Sequence, residues 1–215
     1  LGGVQGAIDK IEIDENEIFH TTIGNQPAIG ICGSGIVDAT AQMLSRGLIE
    51  PSGRMLTAEE ANRLLPAELA SKIGEFNGKP SLVITGTNEG AAAEIFVTQK
   101  DIREIQLAKA AIAAGIQILM EEEQIEFSSI EHVYLAGGFG NYINHEHAMD
   151  IGLLPPMCKG KVLPIGNAAL TGAKMAVKSA CLKKEIEKIH NAARYIELST
   201  RADFQDVFID NMEFK

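Results

Sequence analysis

Apolar and polar residues alternate over 7–13 (AIDKIEI) and 17–23 (EIFHTTI), with Asp14-Glu15-Asn16 between them, a period-two pattern that predicts a hairpin. The next stretch, AIGICGSGIVDATAQMLSRGLI, sends a short apolar strand into Gly33-Ser34-Gly35. Ile36, Ala39, Met43 and Leu44 then recur at helical spacing until Gly47 stops the helix. From Glu50 to Glu94 the pattern fragments. Pro51, Gly53, Pro66, Gly74, Gly78, Pro80 and the TGTNEGAAAE tract punctuate short apolar pieces, among them a strand-like SLVIT (81–85) and a capped helix around TAEEANRLL. Residues 50–94 thus read as an inserted subdomain within a lobe formed by 1–49 and 95–215.

Thr98 is placed to cap the longest predicted helix, 99–123, with Ile102, Ile105, Ala108, Ile112, Ile116 and Leu119 on one face. Glu121-Glu122-Glu123 sits at the negative end of the helix dipole, which predicts fraying there. A strand, HVYLA (132–136), runs into Gly137-Gly138-Phe139-Gly140, followed by a short helix near 145–151 and a break at Pro155-Pro156. Asn167 opens a small-residue helix. A more polar helix carrying KKEIEK (183–188), a strand at RYIELS (194–199) and a terminal helix in ADFQDVFIDNM complete the chain. Alternating helices and strands place it in the α/β class.

Composition narrows the function. With 215 residues, 46% of them hydrophobic, the chain can bury a core, while a net charge of −10 and a pI near 5.0 leave no basic footprint for nucleic acid or an anionic membrane. No apolar run reaches bilayer length. The opening LGGVQGAID has neither an initiator Met nor a signal-peptide pattern and reads as a cut within a larger protein. Cys32, Cys158 and Cys181 form no C-x-x-C, which fits reduced thiols of a cytoplasmic protein and cannot supply the usual thiolates of an iron–sulfur cluster. His145-Glu146-His147 and Asp150 suggest a metal, but helical positions i and i+2 point apart, so a solvated helix start is expected and no metal site is assigned.

The glycine turns carry the remaining chemistry. A strand ending in Gly137-Gly138 can bring bare main chain against a nucleotide or phosphate, or can simply make a tight strand–helix junction. At Gly33-Ser34-Gly35 a helix N-terminus offers free amides to an anion, with Ser34 a candidate cap. A dinucleotide fingerprint fails because Asp38 stands where the third glycine belongs, and no P-loop sequence occurs.

The order of GICGSGIVDA, VTQKDIREIQLAKAAIAAGI, VYLAGGFGNYI, GLLP, PIGNAALTGAKMA and the closing FQDVFIDNMEF resembles the C-terminal part of the reductive activators of corrinoid-dependent proteins. These are ATP-using members of the superfamily of acetate and sugar kinases, Hsp70 and actin. The resemblance covers nearly the whole chain and implies an RNase H-like lobe. It implies that Gly137 and Gly138 lie against adenine and ribose, with Phe139, Gly140 and Asn141 at the rim. It sets Gly33, Ser34 and Gly35 toward the phosphates, Asn167 near the nucleotide, and Asp38 behind the ligands of Mg²⁺. Gln99, Lys100 and Arg103 are implied to approach either nucleotide or partner.

The implied activity of the parent is ATP-dependent return of an inert Co(II) corrinoid protein of a methyltransferase system to Co(I). ATP and Mg²⁺ would be shared with another lobe, and an iron–sulfur cluster is expected only in an N-terminal domain; a homodimer is left open. The family's Asp-x-Gly-Thr phosphate hairpins do not occur in residues 1–215, and Asp150-Ile151-Gly152 continues into Leu-Leu-Pro. Material confined to these residues is therefore expected to turn over little ATP, and the residues that activate water are not identified. A small-molecule kinase of the same superfamily and a non-catalytic lobe that docks a corrinoid protein are the rival readings.

Overall fold

A computed structural model describes residues 1–214. β1 (Ala7–Ile13) pairs antiparallel with β2 (Ile18–Thr22), and β3 (Gly30–Ile31) runs parallel to the start of β1, giving the order β2-β1-β3. The hairpin turns where expected because Asp14 Oδ1 accepts the amides of Asn16 at 2.7 Å and Glu17 at 2.6 Å. α1 (Gly33–Ser45) folds back on β1, and its Val37, Ala39 and Met43 meet Ile8, Ile11 and Ile13 in the buried cluster.

α2 (Ala58–Leu64) is capped by Thr57, whose hydroxyl accepts from Glu60 N, and the brief α3 (Ala67–Ala70) follows. β4 (Ile73–Phe76), β5 (Lys79–Thr85) and β6 (Ile95–Thr98) form an antiparallel sheet. Asn77 and Gly78, at φ 52° and 72°, make the two-residue turn that such a hairpin favours. Met55, Leu69, Leu82 and Ile84 share one buried cluster with Ile8 and Met43, and β6, beyond the segment 50–94, pairs with β5 inside it.

α4 (Gln99–Glu123) begins as its sequence predicts: Thr98 and Asp101 cap each other's amides reciprocally. Its buried face differs from the expected one. Ile102, Gln106, Lys109, Ala110, Ala114 and Ile118 point inward, while Ala108, Ile112 and Leu119 are exposed. The cause is the segment 204–214, which packs on this side and supplies the carbonyls of Met212 and Glu213 to Gln106 and Lys109. Nor does the helix end early: it runs through Glu123, where Glu122 and Glu123 pair with Arg201 and Arg194 and Gln124 closes it at φ 53°.

β7 (Val133–Ala136) leads directly into α5 (Gly137–Tyr142) and then α6 (His145–Asp150). β8 (Val162–Gly166) pairs parallel to β7. α7 (Ala168–Lys178), capped by Asn167, and α8 (Ala180–Ala192), capped by Ser179, pack on each other without a fully buried residue. RYIELS is not a strand. Arg194 is held by Glu123, and Glu197 turns its carboxylate onto Ser199 N, so these residues wrap α4 and close a single helical turn at Leu198–Thr200 instead of entering a ladder. α9 (Phe204–Asp210) ends the fold against α4. No helix among the described residues is long and apolar enough to cross a membrane.

Candidate functional site

The three glycines after β7 serve three different purposes. Gly137 sits at φ +87°, where a side chain would strain the backbone. A Cβ at Gly140 would lie 3.0 Å from Leu135 Cβ, so this residue lets α5 pack onto the end of its own strand. Gly138 has ordinary backbone angles and nothing within 4 Å of its missing Cβ. Neither strain nor packing requires a glycine there, and its bare main chain lies open.

The turn before α1 divides in the same way. A Cβ at Gly35 would approach Ile8 O to 2.4 Å, so this glycine permits α1 to lie directly on β1. Gly35→Ala should therefore cost ~1–3 kcal/mol in a chemical melt, because backbone rather than a movable side chain must yield. A Cβ at Gly33 would meet the Phe139 ring at 2.9 Å. Gly33 is thus the residue through which the two turns touch.

Both turns open on one cavity of about 720 Å³, lined by Gly33, Ser34, Gly138, Phe139 and Tyr142, by Asp9 and Thr22–Gly24, and by the chain start at Leu1–Gly3. Thr57, Thr98, Asn144, Asn167 and Ser179 cap α2, α4, α6, α7 and α8 with side-chain oxygens. No side chain accepts from the first amides of α1, α3, α5 or α9, and of these helices α1 and α5 begin at the cavity. Ser34 is not the cap of α1. Cys32 occupies that position, and Ser34, one residue inside the helix, lies with its Oγ 3.3 Å from Cys32 Sγ. Two sets of uncapped helical amides facing one hollow favour an anion.

Asp9 is the carboxylate on this wall, and the sequence reading missed it. Ile8 pairs with Thr22 and Lys10 with Thr21, so Asp9 is the extra residue of a bulge that turns its side chain to the cavity, where Oδ1 accepts from Thr21 Oγ1 at 2.7 Å. A signal was present: Asp9 has the same parity as Ile11 and Ile13, a polar residue on the apolar row of an alternating strand.

Asp38 does not line this cavity. It is buried one turn along α1, with Oδ1 2.7 Å from His147 Nδ1 and Oδ2 accepting from Ile11 N at 3.4 Å. The carboxylate holds the His147 pKa above the ordinary histidine value, against the opposing effect of burial. Asn167 uses its carboxamide oxygen on Leu170 N. Gln99 bridges Gly53 O and Met55 N, Arg103 reaches Gln106, and Lys100 is exposed; none of the three lines the cavity. Among the described residues no group of three or more His, Cys, Asp or Glu is arranged to hold a metal ion.

A strand that breaks at Gly-Gly into a helix faces a second glycine turn within a mixed α/β lobe, and the fold is that of an ASKHA domain. Residues 2–215 match the family described as the C-terminal domain of RACo, the ASKHA domain, and the chain belongs to that family. It is 37% identical over 218 aligned positions to the corrinoid activation enzyme RamQ of Eubacterium limosum, covering all of this chain and 36% of that protein. It is 27% identical over 189 positions to a [Co(II) methylated amine-specific corrinoid protein] reductase of Methanosarcina barkeri, covering 87% of this chain and 29% of the other. The solved structure of a reductive activator for corrinoid, iron-sulfur protein superposes with a TM-score of 0.88 at 32% identity, over the whole chain and 33% of its counterpart. The chain thus spans about a third of the length of these relatives.

Proposed function

We propose that this chain supplies one wall of an ATP site in a protein that reductively activates a corrinoid partner, returning Co(II) to Co(I) so that the cobalt can accept a methyl group. The observation that carries the reading is the convergence of Gly138, with open space where its Cβ would be, and the uncapped start of α1 on one cavity. Gly137 and Gly138 would lie along adenine and ribose, with Phe139 and Tyr142 at the rim, and the amides of Gly33 and Ser34 would face phosphate. Asp9 would hold Mg²⁺ through water in preference to Asp38, since Asp9 lines the cavity and Asp38 does not.

ATP when bound supplies phosphoryl-transfer chemistry and a large charge. This wall would bind and orient that charge, with the remaining phosphate contacts and the electron coming from outside these residues. Reduction of the corrinoid is uphill, so the walls must contribute by favouring one lobe arrangement over another. They can do so only through contacts that differ between the two. The relatives' names, which speak of corrinoid activation and of a Co(II) corrinoid protein reductase, support this over phosphoryl transfer to a small acceptor.

The test uses the full-length protein, a Co(II) corrinoid protein of a methyltransferase system and a chemical electron donor, with Co(I) followed by its absorbance. Co(I) should accumulate with ATP and Mg²⁺ and not without them. A rate indifferent to nucleotide would overturn the proposal.

A further inference from the structure

Away from the cavity, a partly buried polar cluster has no part in the reading above: buried Asp38 and half-buried Gln42 on α1, and half-buried His147 on α6. We infer that His147 is a positioning residue that fixes the spacing between the two walls of the cavity, acting through α1 and α6. The inference rests on the nucleotide reading, because it assigns the spacing a purpose.

The connectivity is direct. α1 begins at the Gly33–Ser34 wall and carries Asp38 and Gln42 on its next two turns. α5 begins at the Gly138–Phe139 wall and is joined to α6 by only Ile143, which is buried, and Asn144, which caps α6. Each wall is therefore the start of an element whose later part meets the other at His147. The walls themselves already touch where Phe139 lies on Gly33, so a small rotation of α5 relative to α1 would open or close the gap.

The hydrogen bonds specify a single arrangement. Gln42 Oε1 accepts from Ile13 N at 3.3 Å, so the amide end of Gln42 faces His147 Nε2 at 3.2 Å. Ring Nε2 must then be the acceptor, and Nδ1 carries the proton donated to Asp38 Oδ1 at 2.7 Å. The second oxygen of Asp38 accepts from Ile11 N. The link thus runs from α6 through α1 to β1. Asp38 is only 4% exposed, so loss of its imidazole partner would leave a buried carboxylate short of a donor.

The test uses the full-length protein and a non-hydrolysable ATP analogue with Mg²⁺, with affinity measured by calorimetry. His147→Ala should weaken binding ~10-fold, the scale of one lost charge-assisted hydrogen bond. His147→Asn, whose carboxamide keeps a donor near the Nδ1 position, should bind within ~3-fold of wild type. Ile84→Val, a core change in β5 that touches neither wall, should lose stability and keep full affinity. Ring nitrogen resonances should show the Nδ1–H tautomer of His147 and should move when the analogue is added, although His147 does not line the cavity. Wild-type affinity in His147→Ala, equal weakness in the Ala and Asn variants, or a ring signal indifferent to the analogue would each overturn the positioning role alone. Where the alanine variant fails to fold, the asparagine variant and the ring signal still decide. Absence of binding to the wild-type protein would overturn the nucleotide reading itself.

Discussion

Replacing Gly138 by valine is expected to weaken ATP binding to the full-length protein by ~100-fold while leaving its melting behaviour nearly unchanged. The two halves of this expectation come from the same geometry. Apart from its chain neighbours and the backbone of its own helix, no protein atom lies within 4 Å of the position a Cβ would take, so the new Cβ meets open space. Backbone angles at Gly138 are ordinary, so no strain arises, and valine has a helix propensity no lower than that of the glycine it replaces. The branched methyls would instead fill the cavity beside Phe139, where the purine is proposed to lie. Gly137→Val and Gly140→Val are not equivalent tests, since one meets positive φ and the other meets Leu135. Equilibrium binding paired with a thermal melt separates the cases, and unchanged ATP affinity in Gly138→Val would remove the nucleotide from this turn.

Much of the scaffold is legible locally. The 7–22 hairpin, the Thr98 cap, the Asn167 cap and the break after β7 each depend on side chains within a few residues, and each appears where its local pattern places it. Local sequence could not assign the three glycines of 137–140 to different purposes, because strain, packing and openness depend on what lies across the turn. The partner of Asp38 was likewise hidden, since His147 is 109 positions away and its place on α1 follows from how α6 packs. RYIELS has strand-like composition, but ion pairs from Arg194 and the nearby Arg201 tie this segment to α4 instead. The face of α4 was misread for a related reason: hydrophobic periodicity treats Gln106 and Lys109 as solvent-facing, whereas the chain end supplies each with a buried acceptor.

The packing of residues 212–214 on α4 carries the second large effect: Phe214→Ala should destabilise the fold by ~3–5 kcal/mol, a considerable part of the ~5–15 kcal/mol that holds a domain of this kind. Phe214 is 3% exposed, and its amide donates to Pro51 O at 2.9 Å. Its ring lies 5.6 Å from the ammonium of Lys109, which also donates to Glu213 O. Beside it, Gln106 Nε2 donates to both Ser52 O at 3.0 Å and Met212 O at 3.2 Å. The chain end thus closes over two polar residues of α4 and clasps the turn at 51–53. Gly53, at φ +81°, is required in that turn because a Cβ would stand 2.3 Å from Gln106 Oε1. Loss of the ring removes apolar cover from an ammonium buried among these residues, so the cost includes weakened polar contacts as well as the vacated volume. A urea melt should show the midpoint fall with its slope retained. Because Phe214 lines no part of the cavity, the variant should still bind ATP normally under conditions where it remains folded, the converse of Gly138→Val. A loss below ~1 kcal/mol would mean that the tail rests on α4 without holding it, and that Gln106 and Lys109 are satisfied by other means.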